Sequence, residues 1–391
     1  MTRILVALSL VAACGSDPAQ PVDAPAPMID AYPTAGHTAY PQLPNLGGPR
    51  LTTPQLTTIT FANDTRAPML EAYAQWIVGS DWLTAVGAEY GIHHGGVAGV
   101  AHRPETPPAQ LTSAEVESYL AIGIMDGSIP KPANLADALF IIYYPEATTI
   151  TAALAGGPAV SCVQFGGYHS EVHQGGLDFS YALIPTCPGA VAGLTALETI
   201  EMIVAHEVIE AATDAWPLTM PAYALAKDAT DPWFQTYQFV VEDGDLCEAP
   251  SRFVREAGFV AQRAWSNAAA AAGGDPCVPG AQVPAFGAAL SPSMTLKLPP
   301  GGTTDLTLTG WSTGPVTDWK LSIQAFSAPG TLTTRTRVTL GATTLNNGAT
   351  TTVHVTVPAS QASGTHSGFV IVSSHGTDDD ASSWPLAIDA Q

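Results

Sequence analysis

The sequence has few positive charges and no close pair of cysteines. It contains 13 Lys and Arg against 34 Asp and Glu, which gives a formal net charge of −21. A chain this acidic is a poor partner for nucleic acid or for an anionic lipid surface. The charge is compatible with cation binding, although an acidic surface also serves solubility.

Several signatures of enzyme classes are missing as well. The sequence shows no Walker motif, no dinucleotide-binding fingerprint and no nucleophile-elbow pattern. Beyond residue 50, no segment is long and apolar enough to cross a bilayer. The chemistry must therefore be sought in other residues.

The N-terminus has the pattern of a signal peptide. Arg3 supplies a positive charge, and the short apolar run Ile4–Val11 follows it. The next residues, Val11-Ala12-Ala13-Cys14, resemble the bacterial lipobox, in which the cysteine is acylated and becomes the first residue of the mature chain. We expect residues 1–13 to be a signal peptide and Cys14 to carry the lipid. An ordinary secretory signal with an incidental cysteine is the alternative.

Residues 14–50 are predicted to be a lipidated cysteine followed by a proline-rich spacer. Eight prolines fall in this stretch, at positions 18, 21, 25, 27, 33, 41, 44 and 49. A segment with so many prolines and few large apolar side chains favours a semi-extended chain. The predicted location is the cell envelope, with a lipid anchor in the membrane. Gly15 after Cys14 favours the outer membrane or cell surface if the enterobacterial sorting rule applies.

The remaining cysteines predict disulfide bonds. Local pairing, Cys162 with Cys187 and Cys247 with Cys277, is the simplest of three connectivities. Each bridge would close a loop of about 25–30 residues and stabilise the fold by roughly 3–4 kcal/mol. A zinc site made of all four cysteines is the competing interpretation. The absence of CxxC spacing and the predicted export both favour disulfides.

Residues 51–282 are predicted to form an α/β or α+β domain. Strands are expected at Gln55–Phe61, Ala138–Tyr144, Asp178–Ile184 and Phe239–Val241, and helices at Pro68–Val78, Asp81–Tyr90 and Thr112–Met125. The apolar run Ala138–Tyr144 is typical of a strand buried on both faces. Mixed strands and helices of this kind define the fold class.

The longest predicted helix runs from Leu197 to about Asp214. Thr195 and Glu198 form a capping box at its start, and no Gly or Pro interrupts it. Trp216-Pro217 ends it.

Residues 283–391 are predicted to form an immunoglobulin-like β-sandwich. Seven short strands are expected, near 294–299, 304–312, 318–326, 335–341, 350–357, 367–374 and 384–390. This number of strands and this length suit such a sandwich.

The candidate chemistry lies in the long helix, at His206-Glu207-Val208-Ile209-Glu210. Residues i and i+4 share one helix face, so His206 and Glu210 can bind one cation. Asp214 lies one turn further on roughly the same face. Glu207 lies about 100° round the helix, where it could activate a water bound to the cation.

This stretch resembles the HExxH helix of zincin metallopeptidases, with glutamate in place of the second histidine. The resemblance implies His206 as a metal ligand and Glu207 as the general base. Glu210 as a ligand is inferred from its position. Zinc is the expected metal, although a glutamate ligand shifts preference toward calcium or manganese.

A second resemblance, over residues 160–280, is to phosphate-induced, EXORDIUM-type secreted proteins and their bacterial relatives. It rests on the HExxE pattern, on the turn EDGDLC that ends in Cys247, and on Gly167-Tyr168-His169 between Cys162 and Cys187. It implies a secreted domain with a metal site and no particular reaction.

Further ligands are expected to complete the site. Glu242 and Asp245, in EDGDLC, are the first candidates, and His169 and His173 are the others. His93-His94 lies between glycines, and an exposed loop explains it equally well. Charged groups in so apolar a helix need partners, although a solvated helix face is the alternative.

Two functions follow from the sequence. The first is a membrane-anchored metallohydrolase of zincin-like type, a peptidase acting on a peptide or a cell-surface polymer. The second is a non-enzymatic surface lipoprotein in which the same residues hold a structural cation and the sandwich mediates adhesion. Carbohydrate binding is a third, weaker hypothesis. None of the three involves nucleic acid.

Overall fold

Helices and strands alternate over the first half of the chain. The computed structural model describes residues 32–154, 157–189, 191–225, 230–237, 241–248, 252–280, 284–326, 336–376 and 381–391. The first elements are β1 (Gln55–Thr60), α1 (Ala67–Ile77), α2 (Asp81–Gly87), β2 (Gly96–His102), β3 (Gln110–Thr112), α3 (Ser113–Asp126), β4 (Ala138–Tyr144), β5 (Thr149–Leu154), β6 (Gly157–Val160), β7 (Tyr168–Gln174), β8 (Leu177–Pro185) and α4 (Ala196–Thr213). Short 3₁₀ helices follow α2, at Ala88–Tyr90, and precede β4, at Leu135–Asp137.

Five of these strands form the central sheet, in the order β2-β1-β4-β8-β7. The first four strands in this order run parallel, and β7 is antiparallel to β8. All seven residues of β4 are buried. Leu139 and Ile141 pack into one core, and Phe140 and Ile142 pack into the other. The apolar run is therefore a strand buried on both faces, as predicted. A smaller sheet contains β3, β5 and β6.

Helices cover both faces of this sheet. Val204 and Val208 of α4 belong to the first core, and Val116 and Leu120 of α3 belong to the second. Helix α4 begins at the predicted capping box, and α3 begins at a second one made by Thr112 and Glu115; both are fully formed. The chain is of mixed α/β class, rich in strands with few helices, as the sequence predicted.

The hairpin of β7 and β8 brings a histidine to α4. Gly175 and Gly176 join the strands with φ values of +62° and +77°, which glycine adopts without strain in a two-residue turn. In this register His169 pairs with Ala182, whose side chain belongs to the core that contains α4. The predicted bridge Cys162–Cys187 is present and flanks the hairpin.

The next stretch contains α5 (Pro232–Tyr237), a 3₁₀ turn (Asp245–Cys247), β9 (Phe253–Glu256), β10 (Phe259–Gln262), β11 (Ala264–Trp265), α6 (Asn267–Ala272) and β12 (Cys277–Val278). The predicted bridge Cys247–Cys277 is present and ties the 3₁₀ turn to β12. The predicted strand Phe239–Val241 lies outside the described residues except for Val241, which forms an isolated bridge with Leu225.

Two further sheets come from the C-terminal part. Their strands are β13 (Phe286–Ser291), β14 (Leu296–Leu298), β15 (Thr303–Ser312), β16 (Trp319–Phe326), β17 (Arg337–Leu340), β18 (Thr344–Leu345), β19 (Thr350–Thr356), β20 (His366–Ser374) and β21 (Ala381–Ala390). One sheet has the order β13-β15-β19-β17 and the other β14-β21-β20-β16-β18. All seven predicted strands are confirmed, and β13 and β18 are additional. The predicted domain boundary falls on residues 281–283, which lie outside the described residues.

Residues 33–50 pack against the rest of the chain, which differs from the extended spacer expected there. Residues 33–391 form one compact unit. Tyr40 and Leu43 are buried, and the Tyr40 ring contacts Trp233, Trp265 and Trp384 among others. The composition of the segment did not predict this packing. Only two of its side chains, Tyr40 and Leu43, are buried, and so few apolar residues do not stand out among the eight prolines of residues 14–50. The predicted signal peptide and Cys14 lie outside the described residues.

No helix in the described part of the chain is both long enough and apolar enough to span a membrane.

Candidate metal centre

Three segments bring a group of histidines and carboxylates together. Helix α4 supplies His206, Glu207 and Glu210, and strand β7 supplies His169. The turn of residues 242–247 supplies the carboxylates of Glu242 and Asp245. Two sets of three side chains among the described residues have ligand atoms within 4.8 Å of one another. Glu210 belongs to both sets.

The first set is His206, Glu210 and Asp245. His206 Nε2 lies 3.1 Å from Glu210 Oε1 and 3.9 Å from Asp245 Oδ1. The side chains of His206 and Asp245 are 14% and 10% exposed, so this set is the more open of the two. The sequence predicted all three residues as ligands, and the structure brings them together.

Gln262, on β10, holds the His206 ring in one orientation. Its Nε2 donates a hydrogen bond to Gly244 O (2.8 Å), so its Oε1 is the atom that faces His206 Nδ1, at 3.1 Å. Nδ1–H therefore donates to Gln262, and Nε2 is the nitrogen that faces Glu210 and Asp245 and that a cation would bind. Histidines that bind metals are held by an outer hydrogen bond of this kind.

The second set is His169, Glu207 and Glu210, and all three side chains are at most 5% exposed. His169 Nδ1 lies 3.6 Å from Glu207 Oε2 and 3.5 Å from Glu210 Oε2. These separations are too long for hydrogen bonds. They are close to the edge of a zinc tetrahedron, about 3.3 Å for ligands at about 2.05 Å. A buried cluster with this composition and spacing can hold a metal ion.

Outer contacts also hold the His169 ring. Its Nε2–H donates to the backbone oxygen of Asp214 at 3.1 Å, and Glu242 Oε1 lies 3.6 Å from the same nitrogen. Nδ1 is left as the atom that faces Glu207 and Glu210. A backbone oxygen that accepts from the outer nitrogen of a histidine is one of the contacts that orient metal ligands.

Four buried carboxylate oxygens around α4 and the acidic turn have no hydrogen-bond donor: Glu207 Oε2, Asp214 Oδ2, Glu242 Oε1 and Asp243 Oδ1. Two of them, Glu207 Oε2 and Glu242 Oε1, lie beside His169. A buried carboxylate oxygen without a donor is costly unless a cation offsets it. These oxygens without donors therefore indicate that the residues fit a divalent cation, and this evidence does not depend on the HExxE motif.

The acidic turn is held to α4 by its backbone. Asp245 N donates to Glu210 Oε1 at 3.0 Å, and Glu242 N donates to Asp245 Oδ2 at 3.0 Å. A Cβ at Gly244 would lie 2.6 Å from Glu210 Oε1, so only glycine allows this approach. The neighbouring disulfide at Cys247 fixes the end of the turn.

Burial of several carboxylates close together shifts the pKa values of the acids and histidines in this centre. Burial raises the pKa of Glu242, Asp245 and Glu207 above the usual range. Burial would also raise the pKa of Glu210, but the charge of His206 outweighs it and the pKa falls to about 2. Burial would lower the pKa of His169, but the charge of Glu242 and the contacts with Glu207 and Glu210 raise it. The histidines thus carry the positive charge that a cation would otherwise supply.

The other predicted residues have different places. Asp214 Oδ1 accepts from Ala222 N at 2.9 Å, so its side chain belongs to neither set, although its backbone oxygen orients His169. The Glu242 carboxylate lies beside the outer nitrogen of His169, and only its backbone N–H contacts the first set, at Asp245. His173 pairs with Asp178 at 2.7 Å, and both are substantially exposed.

His94, of the predicted loop pair, bonds Thr84 at 2.8 Å. Neither His93 nor His94 belongs to either set.

Sequence reasoning missed two contributors. Gln262 lies 56 residues after His206 and in no motif, so only the fold reveals its role. Gly167 is the second contributor, and the sequence indicated it only as part of Gly167-Tyr168-His169, without a structural role. A Cβ there would lie 2.6 Å from Ile203 and 2.9 Å from Glu207 Oε1, which makes glycine necessary where β7 begins against α4.

The chain matches no model of a known protein family and no curated protein.

Proposed function

We propose that this protein is an exported, metal-dependent hydrolase whose divalent cation lies between His206, Glu210 and Asp245. The observation that carries the proposal is the fixed His206 ring. With Nδ1–H held by Gln262, Nε2 faces two carboxylates in the more open of the two sets. Zinc is the first candidate, since one imidazole and two carboxylates suit it, and calcium is the second.

A cation held there would polarise a scissile carbonyl and lower the pKa of a bound water. The protein's own residues have simpler tasks. His206 and Glu210 hold the cation on a helix that is capped and packed, and Asp245 approaches from a turn fixed by a disulfide. The proposed substrate is a peptide or a cell-surface polymer.

The N-terminal pattern and the two disulfides support the proposed location. We place the chain in the cell envelope, anchored through a lipid on Cys14, with kinship to the EXORDIUM-type secreted proteins as the proposed ancestry. The two C-terminal sheets would form an immunoglobulin-like sandwich that presents the metal domain. Mass spectrometry of the mature N-terminus tests the anchor, since an unmodified Cys14 would contradict it.

The activity test compares wild type with the His206→Ala/Glu210→Ala pair on peptide libraries and on cell-wall polymer. The proposal predicts hydrolysis that a chelator abolishes, that zinc restores and that the double variant lacks. His354→Ala is the matched control, because His354 is exposed in the C-terminal sheets and pairs with Asp305. Absence of chelator-sensitive turnover on any of these substrates would reject a hydrolase.

One observation favours a second function, a surface protein with a structural cation. Even in the more open set the ligand side chains are at most 14% exposed, and structural sites are closed by their ligands. In that case chelation would lower the melting temperature strongly with no activity to lose.

A further inference from the structure

Glu210 contacts two histidines through its two different oxygens. Oε1 lies 3.1 Å from His206 Nε2, and Oε2 lies 3.5 Å from His169 Nδ1. The two histidines fall in separate sets of potential ligands, and Glu210 is the only member common to both among the described residues. A single ion therefore does not satisfy both histidines.

We infer that the centre binds two divalent cations bridged by the carboxylate of Glu210. The first is the cation of the proposed function, between His206, Glu210 Oε1 and Asp245. The second lies between His169 Nδ1, Glu207 Oε2 and Glu210 Oε2, in the more buried half. The inference extends the proposed function, but it concerns the number of metals and does not depend on catalysis.

The second site is supported by groups that point at one place without a partner. Glu207 Oε2 is buried, has no hydrogen-bond donor and lies 3.6 Å from His169 Nδ1. His169 Nδ1 is left facing it, because Nε2 donates to Asp214 O. Two carboxylate oxygens, Glu207 Oε2 and Glu210 Oε2, therefore converge on one imidazole nitrogen in a buried place, where a divalent cation would take the position of the proton on Nδ1.

Charge balance favours two cations over one. Four carboxylates, Glu207, Glu210, Glu242 and Asp245, contact the two histidines and are all at most 10% exposed. Asp214 and Asp243 are further buried acids beside α4. Every ion pair of the first four within the described part of the chain is with a histidine. Two divalent cations with two neutral imidazoles offset all four of these negative charges, whereas one cation with the other imidazole charged offsets only three.

The ligand atoms indicate the class of metal. Each cation would have one imidazole nitrogen and carboxylate oxygens, a set that suits zinc or manganese rather than a soft metal. Pairs of such ions about 3.5–4 Å apart are a recurrent feature of hydrolytic enzymes. The inference also changes the role of Glu207, from the general base expected in the sequence to a ligand of the second cation.

The test is metal stoichiometry of the full chain, produced in an oxidising host, stripped with chelator and titrated with Zn²⁺. We expect two equivalents for wild type, one for His169→Ala, one for Glu207→Gln and one for His206→Ala. His173→Ala is the control, since it is on the same strand and outside both sets, and it should keep two. Circular dichroism and melting curves of each variant show that a lost equivalent is not lost folding.

A second readout uses Mn²⁺ in place of Zn²⁺. Two manganese ions bridged by one carboxylate give an exchange-coupled electron paramagnetic resonance signal, and Glu207→Gln should convert it into that of an isolated ion. One equivalent in wild type, or a Glu207→Gln protein that still binds two, would overturn the inference. Two bound metals without any hydrolysis would uphold it and reject the hydrolase instead.

Discussion

Gln262 Oε1 lies 3.1 Å from His206 Nδ1, and this contact determines which nitrogen of His206 faces the carboxylates. The amide is itself fixed, because its nitrogen donates to the backbone of Gly244 in the acidic turn. One side chain on β10 therefore links helix α4 to the turn that supplies Asp245.

Removal of this link should weaken metal binding without unfolding the protein. Gln262→Ala leaves His206 free to rotate, and loss of such an outer partner typically costs about 10–100-fold in affinity. Zn²⁺ titration against a competing chelator measures the change. Gln174→Ala, at an exposed end of β7, is the control and should bind as wild type does. Equal affinities for Gln262→Ala and wild type would show that the ring needs no support.

Gly244 should be intolerant of any side chain. Its added Cβ would meet Glu210 Oε1 at 2.6 Å and His206 Nδ1 at 3.0 Å, so Gly244→Ala must displace the bridging carboxylate or the turn. We expect at least a tenfold loss of zinc affinity, of the size seen when ligand geometry is disturbed. Gly274→Ala, where nothing lies within 4 Å of the new Cβ, is the matched control. If both alanine variants bind zinc equally, the close approach at Gly244 is unimportant.

Asp275 should be essential for stability rather than for metal binding. It accepts from Arg252 Nη1 at 2.9 Å and from Arg263 Nη2 at 2.6 Å, and both arginine side chains are only 2% exposed. Asp275→Ala leaves two buried guanidinium groups without this partner, which should cost about 3–5 kcal/mol of unfolding free energy.

Urea denaturation measures this cost. Asp305→Ala is the control, because this aspartate is 65% exposed and its loss should change stability by less than about 0.5 kcal/mol. If Asp275→Ala and Asp305→Ala changed the unfolding free energy by similar amounts, the stabilising role of Asp275 would be contradicted.

The start of α4 should be sensitive to acid. The backbone N–H of Thr195 and the contacts with Arg255 hold the pKa of Glu198 at about 2, below its usual value of 4.5. A pKa that is lower in the folded state adds stability above the unfolded value, and this contribution is lost as the pH falls from about 4.5 toward 2.

Glu198→Gln should therefore be less stable than wild type near neutral pH and nearly equal to it near pH 2. Unfolding free energies of both proteins at several pH values test this directly. A difference between the two proteins that does not change with pH would mean that the charge of Glu198 plays no part. Thr195→Ala, which removes the cap at every pH, should cost about 1 kcal/mol throughout.

Local signals predicted most elements of the fold. The capping box at Thr195, the apolar run of β4 and the short strands of the C-terminal part each depend on neighbours in sequence. The pairing of the cysteines was also predictable, because local loops were the simplest choice. Burial of Tyr40 was not, since it depends on tryptophans 193 or more residues away.

The site was predictable where one helix or one short acidic motif supplies the ligands. The spacing of His206 and Glu210 placed them together on α4, and the acidic turn added Asp245 as expected. Glu207 lies on the same helix, but its partner His169 lies on β7. The register of the β7–β8 hairpin brings His169 to the helix, and no local sequence signal predicts that register. Asp214 follows the last residue of α4, and its carboxylate accepts a hydrogen bond from Ala222 N instead of facing the histidines. The spacing of residues along the helix cannot predict that contact.

The most direct test of a metal centre at Glu210 is X-ray diffraction at the zinc absorption edge, from crystals of the zinc-loaded protein. An anomalous difference map should show a peak about 2.0–2.1 Å from His206 Nε2 and in contact with Glu210 and Asp245. A second peak should lie beside His169 Nδ1, on the other oxygen of Glu210. A map with no peak at His206, from crystals that contain zinc elsewhere or none at all, would contradict the account.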